Sequence, residues 1–170
     1  MKSSIIKTGT MLAGFLLAAC LSMRAEVKLP AIFSDGMVMQ QQTNANLWGT
    51  ATPNKKVTVT TGWNGKQYAV TADKNGSWKL SVSTPEAGGP YTITFDDGTP
   101  KTLNNILIGE LWLCSGQSNM EMPMKGFKNQ PVENANMDIL RSKNPHIRLF
   151  TVKRTSTITP QNLSLIHISE

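Results

Sequence analysis

Residues 76–98 read GSWKLSVSTPEAGGPYTITFDDG, and their alternation decides the fold class. Trp78, Leu80 and Val82 alternate with Lys79 and Ser81, and Tyr91, Ile93 and Phe95 alternate with Thr92 and Thr94. A period of two places every second side chain on one face of a strand, so each run predicts a strand with one buried face. Upstream, KVTVTT at 56–61 repeats the pattern through Val57 and Val59, and ANLWGT around Trp48 adds a further strand. Asn64-Gly65, Asn75-Gly76, Gly88-Gly89 and Asp97-Gly98 punctuate the runs about every ten residues, the rhythm of a small antiparallel sandwich. No long helical pattern interrupts this region. Residues 26–107 therefore read as one antiparallel β-sandwich.

The pattern changes at Ile106. ILIGELWLC at 106–114 is almost continuously apolar, which predicts a strand covered on both faces. PVENANMDILRS at 131–142 predicts a helix opened by its proline and burying Val132, Ala135, Ile139 and Leu140. Asn144-Pro145 stops it, and HIRLFTV at 146–152 predicts a second strand. Strand, loop, helix, strand is the opening of a parallel α/β layer, whose sites form at the carboxyl ends of strands. SGQSN at 115–119 occupies that place.

Composition bounds the alternatives. The chain has 170 residues, 39% hydrophobic and 16% charged, enough apolar material for a core and too much for compositional disorder. Its formal charge of +6 includes Lys2, Lys7 and Arg24; without them 14 basic face 11 acidic residues, a balance of +3 with no basic block. Nucleic acid is not an expected partner. Lys2 and Lys7 followed by MLAGFLLAA at 11–19 predict an export signal over residues 1–25, too short to span a bilayer. Two processing routes stay open: cleavage after Ala25, or a lipobox at LAAC in which Cys20 becomes lipidated. Either route predicts a periplasmic or secreted protein, the second an outer-membrane lipoprotein anchored through Cys20. Cys114 then has no disulfide partner and is expected to be a buried thiol at a strand end.

Two separated segments carry a family resemblance. EVKLPAIFSDGMVMQ at 26–40 and IGELWLCSGQSNMEMP at 108–123 resemble the start of bacterial sialate O-acetylesterases of the SGNH hydrolase group, with weaker similarity through GGPY and IRLFTV. The resemblance implies a non-catalytic sandwich followed by an α/β SGNH hydrolase domain over residues 108–170, with Ser118 as nucleophile. The substrate class it implies is O-acetylated sialic acid or another acetylated glycan, with no cofactor; no metal is expected either, because two His and one unpaired Cys do not make a zinc site. A serine hydroxyl needs a base to take its proton and donors to hold the oxyanion. Gly116 would permit a tight turn, the Ser118 N–H would face the oxyanion, and Gln117 and Asn119 are orienting or substrate-contacting candidates, although ordinary loop amides would read the same.

The family's later parts do not appear in the chain. SGNH enzymes pair an Asp and a His three residues apart, whereas His146 and His167 are preceded at that distance by Lys143 and Ser164. His146, next to Pro145, is expected to serve at the surface or as a cap. Only 63 residues follow residue 107, fewer than an α/β domain of about 100 or more usually needs, so the hydrolase domain is expected to be incomplete and the fragment inactive. SLIHISE within the tail 161–170 reads as non-native. Met120, Met122 and Met124 are expected to fill gaps, and Trp63 to cover its own sheet rather than stack on a sugar. A non-catalytic carbohydrate-binding or adhesive sandwich of the cell envelope is the alternative reading.

Overall fold

The computed structural model describes residues 26–152. The signal segment with Cys20 and Ala25, and His167 with the tail, lie outside the described residues. The strands are β1 (Val38–Gln40), β2 (Asn44–Thr50), β3 (Lys56–Thr61), β4 (Gln67–Thr71), β5 (Ser77–Ser83), β6 (Gly88–Asp96) and β7 (Pro100–Gly109). A short pair, β8 (Gly126–Phe127) and β9 (Gln130–Pro131), precedes the helix α1 (Ala135–Arg141). Five strands join in the order β1-β7-β6-β3-β4, while β2 and β5 pair antiparallel with each other.

One core lies between these two groups. Val57 and Val59 of β3, Ile93 and Phe95 of β6, and Leu103, Ile106 and Ile108 of β7 meet Leu47 of β2 and Trp78 and Val82 of β5. The Trp78 and Phe95 rings lie 5.9 Å apart. Each fully buried aliphatic or aromatic side chain contributes about 1.5–3 kcal/mol by leaving water. Of the alternating residues read from the sequence, Val57, Val59, Trp78, Val82, Ile93 and Phe95 are buried while Leu80 and Tyr91 are partly buried, and Gly65, Gly76 and Gly98 turn with positive φ at the expected positions.

Several expectations are corrected. Gly88-Gly89 is no turn: both residues lie in β6, where the register shifts between Gly88 and Tyr91. A Cβ on Gly89, at φ +129°, would stand 2.7 Å from the Ile106 carbonyl oxygen. The glycine thus serves a close backbone approach at a bulge. The strands are also not all antiparallel, since β1 runs parallel to β7 with Val38 opposite Leu107 and Gln40 opposite Gly109. A parallel pair needs a long connection, and here the whole β2–β6 region supplies it.

The second half departs further. β7 ends at Gly109, and Leu111, Trp112 and Leu113 are 61%, 81% and 95% exposed, so no doubly covered strand forms among the described residues. An apolar run becomes such a strand only where other elements flank it, and none of the described elements does. α1 starts at Ala135, not Pro131, which lies in β9; Ala135 is buried, whereas Val132, Ile139 and Leu140 are exposed. Among the described residues HIRLFTV forms no strand beyond an isolated bridge at Thr151, and Ile147, Leu149 and Val152 are exposed. Cys114 is exposed too, contrary to the buried thiol expected. No helix among the described residues is long and apolar enough to cross a membrane.

Candidate functional site

The site grows out of the exit of β7. Its two flanking supports come from far upstream in sequence. The backbone N–H of Gln41 donates to the Gly109 carbonyl at 2.8 Å, and the Leu111 N–H donates to Gln40 Oε1 at 2.8 Å. Between them, the Glu110 carboxylate accepts from Gln40 Nε2 at 3.3 Å and from Gln41 Nε2. These amide donors, Gln41 first, hold the Glu110 carboxyl below the usual carboxylate range, against a small opposing effect of burial. Gln41 Oε1 in turn accepts the Ala87 N–H at 2.9 Å, and the buried Thr84 hydroxyl donates to the Gln40 carbonyl at 2.7 Å.

From this support the chain runs through Trp112 to Gly116 without regular structure and enters a single 3-10 turn, Ser118–Met120. The Met120 N–H donates to the Gln117 carbonyl at 3.0 Å, and Glu121 N–H to the Ser118 carbonyl at 3.0 Å. Ser118 is exposed, as are Gly116, Gln117 and Asn119, so all four stand together on an open loop. Gly116 is not in the left-handed region. Its missing Cβ instead leaves room for Met120, whose Cγ would stand 2.8 Å from it. Among the described residues no hydrogen bond joins the Ser118 hydroxyl to a base. His146 lies exposed, its N–H donating to Asn144 Oδ1 at 2.9 Å.

The segment around Arg148 returns to the same strand. Arg148 Nη2 donates to Asn105 Oδ1 at 3.3 Å, and its Nε donates to the Pro145 carbonyl at 3.2 Å. Asn105 has φ +57° and sits in an irregular step of β7, between the inward-facing Leu103 and Ile106. Beside it the Asn104 N–H donates to Asp35 Oδ1 at 2.7 Å, and Gly36 N–H to the Asn104 carbonyl at 3.0 Å. Residues of 26–40, 108–123 and 147–152 thus converge on β7. Trp63 is occupied elsewhere: its Nε1 donates to the Ser83 carbonyl at 3.1 Å and its ring meets Tyr91 edge-on, the sheet-covering role expected.

The convergence of these segments gives the comparisons with known proteins a structural setting. The sialate O-acetylesterase of Mus musculus is 33% identical over 127 residues, 68% of this chain and 23% of its own. That of Homo sapiens is 30% identical over 135 residues, 74% of this chain and 25% of its own. The chain is similar to sialate O-acetylesterases. It spans about a quarter of the length of these sialate O-acetylesterases. A carbohydrate acetylesterase from Xanthomonas citri superposes with a TM-score of 0.75 at 28% identity, covering 85% of this chain and 32% of that one. No family model matches the chain. The residues that sequence reasoning left without a role are Gln40, Gln41, Glu110 and Arg148; only the inclusion of Gln40, Glu110 and Arg148 in the family-like segments hinted at them.

Proposed function

We propose that this chain is the amino-terminal part of an exported serine esterase of the SGNH group that removes O-acetyl groups from sialic acid or a related acetylated glycan. What carries the reading is Ser118, exposed at the head of its 3-10 turn just beyond the sheet, in a chain similar to sialate O-acetylesterases. The X. citri neighbour, a carbohydrate acetylesterase, supports the same chemical class. In this reading residues 26–107 form the sandwich and residues from 108 onward begin the hydrolase domain.

The chemistry assigned to the loop is acyl transfer. Ser118 Oγ attacks the acetyl carbonyl while a base removes its proton, and the carbonyl π electrons move onto oxygen to give a tetrahedral oxyanion. The Ser118 N–H is the local donor available to that oxyanion. Collapse expels the sugar alkoxide, which takes up the proton, and leaves an acetyl ester on Ser118. Water then attacks this ester by the same route and releases acetate and the free serine. Gln117 and Asn119 are assigned to orient the substrate. In this reading the chain lacks its base, because neither His146 nor His167 has an Asp three residues before it, and the 170-residue chain alone is inactive.

The deciding experiment expresses the longest native reading frame containing this chain and measures release of acetate from O-acetylated sialic acid and 4-nitrophenyl acetate. Ser118→Ala is expected to lower kcat by about a thousandfold or more. Unchanged turnover would overturn the assignment of Ser118. Hydrolysis by the 170-residue chain, abolished by the same substitution, would overturn its inactivity. Mass spectrometry of the mature amino terminus in the native host separates the two proposed export routes, diacylglyceryl-Cys20 or free Glu26.

A further inference from the structure

We infer that Gln40, Gln41 and Glu110 form a positioning clamp that sets how the Ser118 loop leaves the sheet, an inference that rests on the reading of Ser118 as nucleophile. The parallel ladder of β1 and β7 stops at Gln40 and Gly109. An ordinary strand end would fray from there. Instead each of the next backbone or side-chain groups is held: the Gly109 carbonyl by the Gln41 N–H, the Glu110 carboxylate by both glutamine amides, and the Leu111 N–H by Gln40 Oε1.

The clamp is itself anchored from a third direction. The loop after β5 contributes the Thr84 hydroxyl to the Gln40 carbonyl and the Ala87 N–H to Gln41 Oε1. Both glutamines therefore hold the loop after β5 with one group, the Gln40 carbonyl or Gln41 Oε1, and the outgoing chain with another. Bonds to an ionised carboxylate are stronger than those between neutral partners, which suits Glu110 as the central acceptor. Beyond Leu111 the described hydrogen bonds resume only at Gln117, whose carbonyl accepts the Met120 N–H. The clamp is thus the last fixed point before the nucleophile loop, and it fixes the direction of a short free segment.

Attack geometry tolerates little error, and a displacement of about 1 Å at the reacting atoms can cost about a hundredfold in rate. Among the described residues no hydrogen bond joins Glu110, Gln40 or Gln41 to Ser118, so their contribution is assigned to kcat through the loop. In the longest native reading frame containing this chain, Glu110→Ala and Gln40→Ala are each expected to lower kcat about tenfold with KM within about twofold. The double variant should be about as slow as either single one, because the two groups act through one support. Glu110→Gln, which keeps an acceptor oxygen, should recover most of the loss. A kcat that stays unchanged while thermal stability falls, a loss carried by KM, or additive losses would overturn the clamp.

Failure of the two readings is distinguishable. Full activity of Ser118→Ala removes the nucleophile assignment, whereas loss in Ser118→Ala with full kcat in the clamp variants removes only the clamp. Hydrogen exchange on the folded 170-residue chain gives a measurement independent of activity. Glu110→Ala should speed exchange at the two amides the clamp holds, Leu111 and Gln41, leaving β3, β5 and β6 protected as before. Equal rates at Leu111 and Gln41 would overturn the inference.

Discussion

Gln40 Oε1 accepts the backbone N–H of Leu111 at 2.8 Å across a sequence separation of 71 residues. That bond places the end of the amino-terminal segment against the start of the serine loop. It also makes the outer strand β1 part of the site's framework, beyond its role in the core.

The core makes the most direct stability prediction. Phe95 is fully buried and tilts against Trp78, so Phe95→Ala removes a ring from the centre of the sheet contact. An unfolding free-energy loss of about 3–5 kcal/mol is expected. Urea titration of the folded chain checks it, and a loss under about 1 kcal/mol would mean that the site is not the packed centre described.

Gly89→Ala tests the bulge in β6. The added methyl meets the Ile106 carbonyl at a backbone angle unfavourable to L side chains. Destabilisation of about 2 kcal/mol is expected. Gly65→Ala, which also has positive φ but open space around the new methyl, should cost less. Comparing the two midpoints separates close approach from conformational preference.

Glu110 predicts a pH dependence with a definite sign. Its folded-state pKa lies below the ordinary value of 4.5 because the Gln41 and Gln40 amides bind the ionised form. Its stabilising effect is therefore fully present above about pH 4.5 and is lost as pH falls through the lower folded value. The stability gap between wild type and Glu110→Ala should narrow in acid. A gap that keeps its size from neutral pH to pH 3 would contradict the bond pattern.

Trp112 and Trp78 occupy opposite environments, one 81% exposed and the other in the core. Acrylamide should quench a large part of the emission of the 170-residue chain, and Trp112→Phe should remove most of the readily quenched part. Quenching unaffected by the substitution would show that Trp112 is covered in solution.

Much of the sheet was legible because its signal is local. Val57 with Val59, Trp78 with Val82, and Ile93 with Phe95 declare a buried face within a few residues, and the structure buries all six. Gly88-Gly89 misled because a glycine pair serves a bulge as readily as a turn. Leu111 to Leu113 misled because hydropathy records what a side chain prefers, while burial also needs a neighbour. Ser118 is singled out through the resemblance of the whole IGELWLCSGQSNMEMP segment, since GQSNM alone reads as readily as an ordinary polar loop. The Gln40, Gln41 and Glu110 contacts could not, since nothing in a linear sequence registers residues about 70 positions apart.

The parallel pairing of Val38–Gln40 with Leu107–Gly109 also bears on synthesis. Closing a loop of that length costs more entropy than closing the hairpins inside it, which favours those hairpins forming first. While the ribosome has released fewer than about 109 residues, β1 has no strand to pair with. Lys28 can already pair with Thr50, but β1 must wait until nearly the whole sheet has been translated, and a premature stop before Leu107 would leave it permanently without its neighbour.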